Sequence, residues 1–312
     1  MRFKLILAFA AVYIIWGSTY LAIRFAIESI PPFSMAAIRF LVAGTVLFAW
    51  ARWRSNERLT WVHWRSAGIV GFLLLVGGNG GVVWAQQTVP SGITALIIAI
   101  VPLWMVLLEW MNNGVRPNAF TSSGIFLGLV GILLLIGPGE ITGTDTDVDW
   151  VGALVLIVAT ISWAIGSLYS RRAHLPQSPF LATAMEMILG GLFLTVIGFA
   201  SGETLNVSLA STKSLFALGY LIVFGSMIGF TAYIWILRVA PPSKASTYAF
   251  VNPIVAVFLG WLLAGEDLSL SVITAMAIIV TAVAMIIFSR EKRVVTKDEE
   301  APISVIPEKE IV

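Results

Sequence analysis

Polar and aromatic side chains interrupt the long apolar runs of this sequence far from the ends of those runs. Hydroxyl and amide groups that face lipid cost free energy, so these side chains are expected to face the protein interior. Aromatic rings there could bind an aromatic, aliphatic or cationic solute, although packing or anchoring at a membrane surface is the alternative for any single tryptophan. The set predicts a small-molecule site formed by Trp16, Ser18, Thr19, Tyr20, Asn79, Gln86, Trp104, Trp163, Tyr233, Tyr248 and Asn252.

Two charged residues, Arg39 and Glu186, fall about two helical turns inside apolar runs. A charge at the centre of a membrane costs roughly 2.5–3.5 kcal/mol on insertion scales, so it usually has a partner or a function. The two residues are expected near opposite membrane faces, which argues against an ion pair between them. Glu186 could carry protons. The alternative is a structural charge bonded to a neighbouring helix or to Arg171 or Arg172.

Prolines occupy matching places in two other apolar runs, with Pro102 and Pro253 near the centres of those runs. Each proline removes one backbone donor and frees the carbonyl four residues earlier. In lipid a freed carbonyl needs a partner or a wet cavity. The pair therefore predicts two bent helices around a cavity, with kinks tolerated by packing alone as the alternative.

The composition of the 312-residue chain is that of a membrane protein. Hydrophobic residues make up 58% of it, charged residues only 12%, and the mean hydropathy is +0.93. Apolar runs of about 20 residues are long enough to cross a bilayer as helices. Cysteine is absent, which excludes disulfides and cysteine-bound metals. No motif for a metal or a cofactor stands out.

The apolar runs predict an all-α membrane protein with ten transmembrane helices. A linker on the external side is expected at 138–149, and a charged, proline-containing segment, 290–312, reads as a disordered cytoplasmic tail. The predicted helices occupy residues 5–27, 33–52, 66–87, 93–112, 120–137, 150–170, 180–200, 214–236, 245–264 and 271–289.

The positive charges predict the orientation of these helices. Lysine and arginine concentrate in cytoplasmic segments of membrane proteins. If the chain starts in the cytoplasm, all 19 lysines and arginines except Arg24, Arg39 and Lys213 fall in cytoplasmic segments. Both termini are therefore expected in the cytoplasm.

The two halves of the chain resemble each other. Trp16 and Trp163, Pro32 and Pro179, and Gly44 and Gly191 are three pairs of identical residues at one spacing of 147. Residues 1–137 and 150–289 thus form two five-helix repeats. An odd number of spans per repeat inverts the second repeat in the membrane, and inverted repeats are typical of alternating-access transporters.

The residues 16–24, WGSTYLAIR, followed by Pro31-Pro32 and by residues 36–40, AAIRF, closely resemble the opening of EamA-type members of the drug/metabolite transporter superfamily. Gly265-Glu266 is similar to a pair found before the last helix in that family. The resemblance implies two inverted five-helix repeats in a bacterial inner membrane, and export of amino acids or related small metabolites. Residues 112–115, NNGV, depart from the Gly-Glu that often follows the fourth helix.

Enzyme and nucleotide-binding motifs are missing, so transport would be secondary rather than driven by ATP. Arg39 is the only deep cation, which favours a neutral or zwitterionic cargo over a nucleotide sugar or phosphosugar. An intramembrane lipid-modifying enzyme and a channel remain alternatives. The expected partners are a small-molecule substrate and the bilayer, with no nucleic acid. Protons join them if Glu186 couples transport to protons. Gly124 and Gly128 could serve packing or a homodimer contact, so the chain is expected as a monomer or homodimer.

Overall fold

Long apolar helices make up most of the protein in a computed structural model. The structure describes residues 2–89, 94, 97–114, 116–136, 150–204, 210–264 and 270–289, and no β-strand occurs within those ranges. The predicted linker 138–149, the predicted tail 290–312 and the pair Gly265-Glu266 lie outside the described residues. The all-helical fold class predicted from the sequence is confirmed.

The helix bounds follow the apolar runs closely. Six helices of the described chain, α1, α2, α3, α6, α7 and α8 as defined here, are long and apolar enough to cross a membrane. The longer helices of the described chain are α1 (Arg2–Ile27), α2 (Pro32–Arg54), α3 (Trp61–Ala85), α4 (Val101–Asn113), α5 (Ala119–Ile136), α6 (Trp150–Ser170), α7 (Pro179–Ala200), α8 (Thr212–Val239), α9 (Tyr248–Ala264) and α10 (Leu270–Phe288).

Several predicted helices differ from the observed ones at their N-terminal ends; α3, for example, starts at Trp61 and not at residue 66. Helix α4 starts at Val101, so Pro102 begins the helix instead of bending it at its centre. Proline is well tolerated there because the first N–H groups of a helix have no intrahelical partner. The predicted helix 245–264 is instead a one-turn helix, Pro242–Ala245, followed by a break and then by α9, which contains Pro253 six residues in.

Helices α3 and α8 each contain a π-helical segment, Phe72–Gly80 in α3 and Leu221–Phe230 in α8. A π-helical turn holds an extra residue, bends the helix and often occurs at a functional site. The two segments occupy similar places in the two halves of the sequence. No pattern in the sequence predicts them.

Helices α2 and α7 pack along each other, and a carboxylate binds the N-terminus of each. Glu203, just after α7, accepts hydrogen bonds from the backbone N–H groups of Phe33 and Ser34 at 2.9 and 2.7 Å. Glu57, just after α2, accepts one from the N–H of Gln177, before α7, at 2.7 Å. A carboxylate at a helix N-terminus satisfies free donors and opposes the helix dipole. The pair is thereby fixed at both ends.

Helix α5 packs against α10 and α9 inside the protein. Gly124 lies against Ile286, and Gly128 lies against the ring of Phe250. Small residues let membrane helices approach each other closely. The contacts of Gly124 and Gly128 therefore match packing within the chain.

Candidate functional site

A cavity lies part-way along the helices, between residues of the first half of the chain and residues of the second half. We call it the central cavity. By the measure in which one water needs about 10–15 Å³, its volume is about 80 Å³, enough for several waters. It is lined by Trp16, Thr19, Tyr20, Ile23, Arg39, Phe40, Gly78, Asn79, Val82, Ile98, Val101, Ala159, Thr160, Trp163, Phe230, Tyr248 and Asn252.

Seven of the predicted site residues line the central cavity. They come from α1, α3, α6 and α9, which the sequence repeat places in both halves. These residues are Trp16, Thr19, Tyr20, Asn79, Trp163, Tyr248 and Asn252. The other four predicted residues, Ser18, Gln86, Trp104 and Tyr233, do not line it.

Four aromatic rings form one cluster at an end of the cavity. The ring centroid of Trp16 lies 5.0 Å from that of Tyr233, 5.1 Å from that of Tyr248 and 5.6 Å from that of Trp163. Tyr233 is fully buried behind the lining residues, and its hydroxyl accepts a hydrogen bond from Trp163 Nε1 at 3.0 Å. It also shares a 2.6 Å hydrogen bond with Ser167. Tyr233 thus orients a lining residue without lining the cavity.

The two lining tryptophans sit on the two π-helical segments. Trp16 Nε1 donates a hydrogen bond to the carbonyl of Gly225 at 3.1 Å. A Cβ atom on Gly229 would lie 2.6 Å from Trp16 Nε1, and one on Gly78 would lie 2.6 Å from Trp163 Cε3. A distance of 2.6 Å between a Cβ atom and an indole atom is too short, so no residue with a side chain fits at either position without movement of the ring. Each indole therefore needs a glycine in the π-helical segment of the opposite half.

The polar lining of α1 and α9 is joined by hydrogen bonds. The Tyr20 hydroxyl lies beside the side chain of Asn252. With its amide in the orientation that satisfies both ends, Asn252 Nδ2 donates to the carbonyls of Tyr13 and Tyr248 at 3.2 and 3.1 Å. Asn252 precedes Pro253 in α9. These bonds connect α9 to α1 next to the polar lining of the cavity.

Asn79 contributes an unused acceptor to the cavity. Its Oδ1 atom is buried and has no hydrogen-bond partner in the described part of the chain. A buried acceptor without a partner costs about 1–3 kcal/mol. An acceptor left free in a cavity is available to a donor of a bound solute.

Arg39 is a lining residue that the predicted site did not include. It extends from α2, is 3% exposed, and donates from Nε to Ser226 Oγ at 2.7 Å. Its Nη1 atom has no partner among the described residues. The position of a cation two turns inside an apolar run was the signal in the sequence that could have placed Arg39 in the site.

The remaining predicted residues have other surroundings. Ser18 donates to the carbonyl of Ile15 at 2.7 Å and shares a 2.6 Å hydrogen bond with Tyr220. Gln86 follows the last residue of α3, and its Oε1 is buried without a partner in the described chain. Trp104 packs against the edge of the main hydrophobic core. None of these three side chains is among the residues that line the cavity.

Glu186 lies on α7, apart from the central cavity. It is fully buried, and neither carboxyl oxygen has a hydrogen-bond partner among the described residues. Arg238 is close enough for its charge to act on this carboxyl. The alternative of a bond to Arg171 or Arg172 is not seen, because neither carboxyl oxygen of Glu186 has a partner in the described chain, and Arg171 donates to the carbonyl of Ala240.

Comparison with known proteins decides the family. The EamA-like transporter family matches residues 3–137 and, separately, residues 150–288. The chain belongs to the EamA-like transporter family. It is therefore a multi-pass membrane protein of a transporter family, as the resemblance of its opening residues implied.

Similar proteins of this family come from several bacteria. The chain is 40% identical over 291 residues to the Uncharacterized inner membrane transporter YedA of Escherichia coli, covering 92% of each chain. It is 25% identical to the Uncharacterized transporter YoaV of Bacillus subtilis, covering 93% and 99%, and 27% identical to Protein PagO of Salmonella typhimurium, covering 88% and 92%. A crystal structure at 20% identity has the same fold, with a TM-score of 0.74 over 91% of this chain and 97% of the other.

Proposed function

We propose that this EamA-family protein is a secondary transporter that exports small neutral or zwitterionic metabolites, amino acids above all, across a bacterial inner membrane. The observation that carries the proposal is the central cavity. It combines aromatic rings with polar atoms that have no partner in the described chain. Apolar pockets with a few well-placed polar groups are the usual form of small-molecule sites.

We infer that the halves 1–137 and 150–289 are inverted repeats of five membrane spans each, with both termini in the cytoplasm. The repeat in the sequence and the two separate family matches support this inference. The packing of the two tryptophans supports it as well, since Trp16 packs against Gly229 and Trp163 packs against Gly78, each in the opposite half. Two halves related in this way can rock against each other around a shared site.

In this arrangement the aromatic cluster lies on the cytoplasmic side of the cavity and forms a barrier there. The barrier joins the two halves, because Tyr13 of α1 shares a 2.5 Å hydrogen bond with Thr247 before α9. Opening toward the cytoplasm would separate the rings of Trp16 and Trp163 and break this bond. Alternating access then requires a second arrangement in which the opposite side closes.

The cavity favours a neutral or zwitterionic cargo over a phosphorylated one. A phosphate group is usually bound by several lysine or arginine side chains. Among the described residues that line the cavity, Arg39 alone carries a charge. One cation cannot neutralise a phosphate dianion in a low-dielectric site. A nucleotide-sugar or phosphosugar exchanger of the same fold is therefore the weaker proposal.

We also propose that Glu186 couples transport to protons. A carboxyl group buried in a membrane protein without a hydrogen-bond partner can bind and release a proton as its surroundings change. Helix α7, which carries Glu186, contacts α3 and α8, the two helices with π-helical segments. Movement of those segments would change the environment of the carboxyl group.

Counterflow in proteoliposomes tests the function directly. Vesicles containing the purified protein are loaded with unlabelled amino acids, purines or sugar phosphates, and entry of the labelled compound is followed. We expect saturable entry that depends on preloading with an amino acid. Preferential counterflow of a sugar phosphate would favour the exchanger. Flux without saturation and without counterflow would favour a channel.

A further inference from the structure

The guanidinium group of Arg39 is held in place but incompletely paired. Ser226 accepts from Nε at 2.7 Å, and the ring of Phe40 lies 4.8 Å from Cζ. Gly225 leaves space beside the group, because a Cβ atom there would lie 2.9 Å from Nη2. These contacts leave Nη1 without a partner among the described residues. The side chain is thus held through Nε and through the contact of Cζ with the Phe40 ring.

An unpaired arginine is costly at this depth. Arginine stays protonated in proteins, and a buried charge needs a counter-charge or several hydrogen bonds. No carboxylate of the described residues forms a salt bridge with Arg39 or lines the central cavity beside it. A molecule that enters the cavity can supply the missing counter-charge.

Geometry and charge balance define that molecule. A guanidinium group binds a carboxylate in a planar, two-point arrangement. One carboxylate neutralises the single charge of Arg39, whereas a phosphate dianion leaves excess negative charge and a simple cation adds to the positive charge. Asn79 Oδ1, also without a partner in the described chain, can accept a hydrogen bond from an ammonium group.

We propose that Arg39 binds a carboxylate group that every good substrate of this transporter carries. This inference rests on the proposed transport function and makes the cargo class narrower, because it excludes neutral solutes and amines. Ser226 and Gly225 act as positioning residues, since they hold the guanidinium group at the cavity wall. Arg39 thereby selects cargo through one end of the molecule, and the aromatic rings can accommodate the rest.

The test varies the substrate first, so that the wild-type protein remains intact. Counterflow is measured for leucine, leucinamide and 3-methylbutylamine, and for phenylalanine, phenylalaninamide and phenethylamine. A charge-assisted hydrogen-bonded pair lost from a buried site reduces binding by about tenfold or more. We expect each amide and amine to be transported at least about tenfold less efficiently than its parent acid.

Variants then assign the effect to Arg39. In Arg39→Gln, the ratio of the transport efficiency of the acid to that of its amide should fall toward one. Ser226→Ala, which keeps the arginine, should lower the preference partly. Arg24→Gln is the matched control, because Arg24 is a cation of α1 that is exposed and does not line the cavity. Its preference should equal that of the wild type.

The outcomes separate this inference from the function on which it rests. Leucinamide, a neutral purine or an amine transported as well as the parent acid would overturn the role of Arg39 and leave the transport function intact. An acid preference that persists in Arg39→Gln would also overturn it. Counterflow of none of the amino acids, purines or sugar phosphates, from protein shown to be folded, would contradict the transport function itself.

Discussion

Trp16 and Trp163 meet edge to face at one end of the central cavity, with ring centroids 5.6 Å apart and planes at 78°. The two residues are 147 positions apart in the sequence and come from equivalent places in its two halves. Each indole packs against a glycine in the opposite half of the chain: Trp16 against Gly229 of α8, and Trp163 against Gly78 of α3. The two halves therefore contribute equivalent contacts at the cavity, each a tryptophan packed against a glycine of the opposite half.

Substituting Gly78 or Gly229, the glycines that contact the two indoles, should impair transport in the same way. Gly78→Ala and Gly229→Ala each place a methyl group 2.6 Å from an indole atom, so the ring must move. Overpacking of this kind costs about 1–3 kcal/mol of stability. We expect both variants to lower the counterflow rate and the melting temperature in detergent.

Gly219→Ala is the control for this pair, because the residue is in a helix and, beyond the local backbone of that helix, no atom of the described chain lies within 4 Å of the added methyl group. Alanine favours a helix over glycine by up to about 1 kcal/mol. Gly219→Ala should leave transport unchanged. A loss of transport in Gly219→Ala equal to that in Gly78→Ala would show that the indole contacts are not the cause.

Asn79→Leu should separate stability from transport. Leucine has the same branched arrangement of side-chain heavy atoms as asparagine and removes a buried acceptor without a partner, so stability should stay constant or rise. Transport should fall about tenfold, because the acceptor offered to the solute is lost. Counterflow and thermal unfolding of one purified sample measure both effects.

Gln86→Leu makes a matched comparison, since Gln86 Oε1 is also buried without a partner in the described chain but does not line the cavity. It should match Asn79→Leu in stability and the wild type in transport. Equal loss of transport in the two variants would contradict the placement of the site.

Glu186→Gln should remove the response to a pH difference and keep the exchange of solute. If protons and solute move in opposite directions, an imposed pH difference drives solute accumulation in wild-type vesicles. Glutamine cannot release a proton, so accumulation should vanish while counterflow without a pH difference continues. Glu28→Gln, in an exposed pair with Lys213 at 2.8 Å, should behave as the wild type. Unchanged accumulation in Glu186→Gln would exclude this carboxyl group as the proton carrier.

Glu203→Ala should destabilise the helix pair formed by α2 and α7. It removes two hydrogen bonds from backbone N–H groups and one from the Ser34 hydroxyl at 2.7 Å. Loss of a capping side chain costs about 0.5–2 kcal/mol. Melting in detergent should report this decrease. Glu28→Ala, which breaks an exposed ion pair, should cost about 0.2–1 kcal/mol. A smaller effect for Glu203→Ala than for Glu28→Ala would contradict the capping role.

The sequence predicted the long helices well because lipid forces a simple pattern on them. The observed bounds of α6, residues 150–170, are the predicted ones. The observed bounds of α2 and α7 differ from the predicted ones by no more than two residues at either end. Proline was harder to interpret. Pro102 and Pro253 look alike in the sequence, yet one begins a helix and the other lies inside one.

The site could be predicted only in part because depth in the membrane does not fix the direction of a side chain. Asn79 lies in α3 and Gln86 directly follows that helix, but only Asn79 lines the cavity. Asn79 lies within the π-helical segment Phe72–Gly80, where side-chain directions depart from those of a regular α-helix. The partners of Arg39 on α8 depend on a second such segment, which periodicity cannot predict.

Protection of a cysteine in the central cavity tests most directly whether cargo binds there. The natural chain has no cysteine, so Thr160→Cys introduces a single thiol at a lining position. Its rate of reaction with a small methanethiosulfonate reagent is measured with and without a saturating amino acid that supports counterflow. Ser201→Cys, at an exposed position after α7, is the control. We predict that the amino acid slows the reaction of Cys at position 160 several-fold and leaves the control unchanged. Equal rates with and without the transported amino acid would contradict binding in this cavity.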